Sequence, residues 1–218
     1  MITPPARGRA SGLGPFLTRG RRRRSTPVAG ISAIELLLTL AILGALAAAA
    51  APGMASLESS VSIRSAAAEV GAAILRARAA AVSRNANVGL KYRRNGDRYE
   101  WTIYADGNGN GIRTADITRG IDRPLASFGW SRNDVHPGIL TGARVPDPGD
   151  PGSYLDRLDD PIRFNASDIC SFSAVGESTP GSIYLWDGRD RMAVVRVYGR
   201  SGKLRTLYYQ RGERIWKP

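Results

Sequence analysis

The chain has 218 residues, 43% of them apolar and 23% charged, values that exclude wholesale disorder and leave room for one ordinary domain with accessory segments. A lone cysteine, Cys170, excludes an intramolecular disulfide and a cysteine-based zinc cluster, and a lone histidine, His136, leaves no multi-histidine metal site. The net charge of +12 suggests a nucleic-acid footprint, yet residues 1–30 hold seven Arg and no acid, and the rest of the chain carries only +5.

The first informative element is residues 31–51, which read ISAIELLLTLAILGALAAAAA and carry a single charge, Glu35. A helix of that length spans about 31 Å, close to the hydrocarbon thickness of a bilayer. Arg21-Arg22-Arg23-Arg24 precedes it and no comparable basic cluster follows closely, so the positive-inside rule places the N-terminus in the cytoplasm and everything after Pro52 outside. An ordinary secretory signal peptide has the same basic-then-apolar order, but its core is shorter and has no use for a carboxylate. An ionised Glu within a membrane helix is costly unless it finds a partner, which marks Glu35 as a functional residue.

The string Gly30-Ile31-Ser32-Ala33-Ile34-Glu35-Leu36-Leu37 resembles the type IV prepilin signal, in which a Gly precedes the cut and a Glu is the fifth residue of the mature chain. Ile31 stands where that family usually has Phe. The resemblance implies a leader over residues 1–30, cleavage by prepilin peptidase between Gly30 and Ile31, and methylation of the new amino terminus. Physically, a free amine four residues before a carboxylate lets stacked subunits pair the amine of one with Glu35 of the next, which answers the cost of burying either. Beyond the membrane segment, Ile63, Ala67, Val70, Ile74, Ala77 and Ala81 repeat at three- and four-residue steps. That pattern predicts a helix continuing over residues 52–85, with Pro52 as a place to bend and Asn85 and Asn87 as its stop. Leu57, Val61, Ala68, Leu75 and Val82 are expected to widen the buried stripe.

After the helix the period becomes alternating. Residues 88–93 and 98–105 flank Asn95-Gly96 as a hairpin, and further strands are expected over 163–165, 182–186, 193–198 and 204–210. Asp187-Gly188 and Ser201-Gly202 mark the last two turns, while residues 134–161, rich in Pro, Gly and Asp, read as a long loop region and the most mobile part. The expected fold class is α+β: a long N-terminal membrane-spanning helix packed on a small antiparallel β domain, residues 86–218, on the periplasmic side. The order of these features, with an Asp/Asn/Gly segment in mid-domain before Gly181-Ser182-Ile183-Tyr184-Leu185 and a closing Gly199-Arg200, is similar to the GspH/FimT family of minor pseudopilins. That resemblance implies a structural subunit of a periplasmic filament in type II secretion, anchored in the bacterial inner membrane, whose partners are prepilin peptidase and other major and minor pseudopilins.

Catalysis has little support, since no His-based triad can be drawn. Asp106-Gly107-Asn108-Gly109-Asn110-Gly111 places oxygen ligands at alternate positions, so calcium at Asp106, Asn108 and Asn110 is weighed against a glycine-rich turn; the Glu of a calcium loop is missing, Ile117 standing in its place, and the turn is the preferred reading. No cofactor is otherwise expected. From Arg189 to Lys217 nine basic residues and two acids interleave with Tyr198, Tyr208, Tyr209 and Trp216. Some FimT-like pilins are associated with DNA uptake, and Arg200, Lys203 and Arg205 resemble the basic hairpin such a role implies. The preferred reading is a sheet whose solvent-facing arginines meet the acidic 134–168 region of a neighbouring subunit, with DNA binding as the alternative.

Overall fold

The structure, a computed structural model, describes residues 30–95, 98–130 and 132–218; the expected leader up to residue 29, and Gly96 of the first hairpin turn, lie outside the described residues. Two packing units divide the chain between Ala47 and Ala48. Helix α1 (Ala33–Arg84) runs for 52 residues, as the periodicity predicts.

Its end follows from Asn85, whose φ of +49° is left-handed backbone that Asn tolerates better than most residues. Ala86 N–H then donates to Ala81 O and Asn85 N–H to Val82 O, each at 3.2 Å, closing the last turn on orphan carbonyls.

Within the second unit, Ile63, Ala67, Val70, Ile74, Ala77 and Ala81 are all buried, joined by Ala66 and Ala73. The small alanines let the sheets come close while the two isoleucines and Val70 fill the remaining space. Leu57, Val61, Ala68, Leu75 and Val82 do not widen this face: all five are exposed, the four larger ones by 51–68%. At 3.6 residues per turn they lie roughly 120–180° around the helix from the centre of the buried stripe, too far to share it. Nearer the start of this unit the domain-facing side carries serines instead. Ser56 accepts from Arg191 Nη2 at 3.0 Å, Ser59 donates to Asp187 Oδ2 at 2.6 Å, and Ser62 bonds to Asp134 and accepts from Arg132 Nη2 at 2.8 Å.

The rest of the domain is antiparallel sheet in two pieces. Strands β1 (Val88–Asn95), β2 (Arg98–Ala105), β3 (Arg123–Gly129) and β6 (Ile169–Phe172) form one, in the order β3-β2-β1-β6. Strands β4 (His136–Pro137), β7 (Gly181–Trp186), β8 (Arg191–Tyr198) and β9 (Lys203–Gln210) form the other, with β5 (Ile162–Arg163) also pairing with β7. A five-residue helix, α2 (Thr114–Thr118), lies between β2 and β3. The expected β1–β2, β7–β8 and β8–β9 pairs are present, but Asn95 pairs with Arg98 within the first hairpin's strands rather than standing in its turn. The strand expected over 163–165 lies at 162–163, and β3, β4, β6 and α2 are additions. Strand β3 is an edge built from Arg-Pro-Leu-Ala-Ser-Phe-Gly, weak strand formers held by pairing with β2 and by Leu125 and Phe128 packing on the core.

One core joins α1 to both sheets through Leu90, Trp101, Phe172, Ile183, Leu185, Val195 and their neighbours. A second core lies on the opposite face of the β7–β9 sheet, where Tyr184, Met192, Val194, Leu207 and Tyr209 meet Ile139, Leu140, Val145 and Leu155. Strand β8 is therefore buried on both faces over Met192–Val195, which is why its sequence is a continuous apolar run rather than an alternating one. The second core also corrects the reading of residues 134–161. They are largely irregular, but Val135, Ile139, Leu140, Val145 and Leu155 are buried, the last four as the layer that covers the outer sheet face.

Candidate functional site

Gly30 and Ile31 are exposed, Ile31 by 74%, and a Cβ added at Gly30 would meet nothing within 4 Å. Packing therefore gives no reason for glycine at position 30. Glu35 is an exposed acid in the first turn of α1, where the positive end of the helix dipole favours it. Among the described residues, α1 is the one helix long and apolar enough to cross a membrane: Ala33–Ala50 has mean hydropathy 2.2 and none of it is buried within the protein. Its large side chains, Ile34, Leu36, Leu37, Leu38, Leu40, Ile42, Leu43 and Leu46, are all 52–74% exposed. A helix apolar on every side and covered on none needs an apolar surrounding, and by length and composition the segment suits a membrane anchor or a signal sequence. Its one side-chain hydroxyl bond is internal, Thr39 Oγ1 donating to Leu36 O at 2.9 Å.

Asp106, Asn108 and Asn110 are brought together, but as a stapled turn. Asp106 Oδ1 accepts from the N–H groups of Asn108 at 3.1 Å and Gly109 at 2.7 Å, and Oδ2 from Gly111 N–H and Asn87 Nδ2 at 2.7 and 2.9 Å. Burial pushes the Asp106 carboxyl up, and the bonds from Asn87, Gly111, Asn108 and Gly109 outweigh it, leaving the group below its ordinary value. Asn108 Oδ1 accepts from Asn110 N–H, and Asn110 Nδ2 donates to Asp116. Asp122, 1% exposed, accepts from Gly107 and Arg113 N–H and ties the two ends of the loop together. Gly107 is obligatory: a Cβ there would stand 2.0 Å from Ile121 O. Among the described residues no group of three or more His, Cys, Asp or Glu side chains is placed to hold a metal ion. The nearby acids Asp116 and Asp122 are the buried staples of this loop.

Arg200, Lys203 and Arg205 are exposed on the β8–β9 hairpin. Register pairs Arg205 with Arg196 and Lys203 with Tyr198, so these four share the outer face of the sheet, beyond the edge of the second core. Arg196 is the member the motif alone did not single out; its guanidinium lies 5.7 Å from the Tyr198 ring. Arg78 on α1 holds the turn from behind, its Nη2 donating to Ser201 O at 3.1 Å and its Nη1 to Gly202 O at 3.4 Å. Gly202 sits at φ +57° with Gly176 O 2.8 Å from any added Cβ, so the turn has one permissible residue there.

Neither of the two residues most often nucleophilic or basic is poised for chemistry. Cys170 is buried and burial pushes its thiol far up. His136 stacks edge-on to Trp186 at 5.7 Å, and burial lowers its pKa against the opposing pull of Asp187. The chain matches no family model, no curated protein and no solved structure. Its class therefore rests on the residues themselves: a mixed helix and antiparallel-sheet protein with one N-terminal apolar helix of membrane-spanning length.

Proposed function

We propose that the chain is a minor pseudopilin, a structural subunit of a periplasmic filament in type II protein secretion. It is held in the bacterial inner membrane by a single pass, with its N-terminus cytoplasmic and its C-terminal domain periplasmic. One observation carries the reading: a glycine that packing does not require stands five residues before a carboxylate, at the start of a helix apolar on every side. Prepilin peptidase cuts between Gly30 and Ile31, and the new amine of one subunit pairs with Glu35 of another. The other major and minor pseudopilins are then its partners, and its work is assembly rather than catalysis.

Intact-mass measurement of membrane-extracted protein tests this. The expected mass lacks residues 1–30 and gains one methyl group; Gly30→Trp leaves the leader in place. Glu35→Ala is cleaved normally yet fails to enter filaments. Full-length chain in working filaments would overturn the reading.

A second reading, a type IV pilus minor pilin that binds DNA, is favoured by the shared face of Arg196, Lys203 and Arg205 beside Arg200. Binding would be insensitive to sequence and fall steeply with salt, since each neutralised phosphate releases counterions. The triple alanine variant of Arg200, Lys203 and Arg205 would flatten that salt slope, and absence of binding at low salt removes this reading.

A further inference from the structure

We infer that the groove between residues 143–154 and the C-terminal tail is a docking site for an acidic peptide segment of a partner protein. The groove has a volume of about 630 Å³ and is walled by Arg144 and Tyr154 on one side, Arg211 and Arg214 on the other, with Tyr209 also lining it. That volume lies within the roughly 300–1,000 Å³ range of specific ligand sites, more than a single small anion fills.

The tail forms a fixed wall. Lys217 and Tyr208 exchange both backbone hydrogen bonds, at 2.7 and 2.9 Å, and Trp216 Nε1 donates to Pro146 O at 2.7 Å while its ring packs on Tyr184 and Tyr209. Trp216 thus ties the tail to the opposite wall and sets the width of the groove.

Its charge is left unspent. Arg211 is paired with Asp190 at 2.6 Å, but among the described residues neither Arg144, whose guanidinium lies 4.7 Å from the Tyr154 ring, nor Arg214 has an ion-pair or hydrogen-bond partner. The one carboxylate in the lining, Glu213, is already satisfied. Lys217 Nζ donates to it at 2.5 Å and Gln210 N–H at 3.3 Å, and the Lys217 bond is the largest influence holding its carboxyl below the ordinary value. Two free guanidinium forks beside an exposed tyrosine ring suit carboxylates on a chain that also offers apolar surface.

A long phosphate backbone suits the groove less well. Asp147 follows directly on Pro146 at one wall, with Asp150 three residues further on, and Asp190 is bound at the other, so a polyanion running past the groove meets carboxylates on both sides. A short acidic segment places its charge only between the arginines. This surface shares no residue with those proposed for processing and filament assembly, and the inference holds without them.

The test uses the full chain in neutral detergent micelles and a fluorescein-labelled peptide of alternating Glu and Gly. Saturable anisotropy change is expected, weakening as salt rises. Arg214→Glu, which breaks no ion pair or hydrogen bond among the described residues, and the pair Arg144→Ser with Arg214→Ser should each lower affinity at least tenfold. Arg119→Ser, an exposed arginine elsewhere, should leave it unchanged. Absence of saturable binding at low salt, or equal weakening by Arg119→Ser, overturns the proposal. Displacement of the peptide by an oligonucleotide at equal charge concentration overturns it in favour of a phosphate ligand.

Discussion

Helix α1 contains two stretches that solve opposite problems with similar residues. Over Ala33–Ala50 the side chains are apolar on every side and none is buried by the protein. Over residues 63–81 a single arc of isoleucine, valine and alanine is buried, and the remaining arc, which still carries Ala68 and Leu75, is exposed. Between them, Ser56, Ser59 and Ser62 reach the domain through hydrogen bonds rather than apolar contact. The difference teaches that hydrophobicity alone does not state what a helix packs against. The first stretch depends on what surrounds the protein, the second on what the protein folds over it.

Charge placed in either stretch breaks the comparison most severely. Ile74→Asp should unfold the domain, read as loss of the cooperative melt, while membrane association persists. Leu40→Asp should do the reverse, shifting the chain out of the membrane fraction with the domain's melting temperature unchanged. The milder Ile74→Ala should cost about 2–5 kcal/mol by urea titration, the usual range for deleting a buried isoleucine. Leu75→Ala, one residue on but exposed, should stay within about 0.5 kcal/mol. Should the two alanine variants cost the same, the one-arc description of this stretch is wrong.

A smaller effect is expected at the serines. Ser59→Ala removes one bond to Asp187, which keeps its bonds from the N–H groups of Arg189 and Arg191 at 2.8 and 3.1 Å. A loss of about 1 kcal/mol is expected in the same titration.

Acid sharpens the picture through two groups outside the helix. His136 has a folded pKa below 6.5, so its folded state resists protonation, and stability should begin to fall as pH drops through about 6.5. Asp106 has a folded pKa below 3.8; its contribution is complete above the ordinary carboxylate range and is lost as pH falls through the depressed value. His136→Phe should remove the upper limb of the melting-temperature curve and Asp106→Asn the lower one. The smallest expected effect is of metal. With Asp106 oxygens taken by N–H donors, millimolar calcium and chelator should give the same melting temperature.

Sequence reading reached the elements whose signals are local. The stripe from Ile63 to Ala81, the Asn85 stop and the turns at Asp187-Gly188 and Ser201-Gly202 each follow from a few neighbouring residues, and each is where it was expected. Which apolar arc of α1 is buried was not legible for Leu57, Val61 and Leu75, because only the fold decides which arc faces a partner. Strand β3 was hidden by Pro124, Ala126 and Ser127, weak strand formers recruited by pairing. Ile139, Leu140, Val145 and Leu155 have no period because the backbone carrying them is irregular. Among candidate sites, Arg200, Lys203 and Arg205 are visible as a cluster, whereas Arg196 joins them only through strand register. Arg144 and Arg214 come together only when Trp216 folds back on Pro146.

The burial of β8 on both faces has a consequence for the chain before it is folded. Met192-Ala193-Val194-Val195 is a short apolar segment of strong strand formers, the composition that stacks readily with copies of itself when exposed. Arg191 and Arg196 bracket it, one at each end, and keep like charge on any such stack. In that role Arg196 is a gatekeeper against aggregation, and replacing it with valine should be felt first as insoluble chains during synthesis rather than as any change in the folded protein.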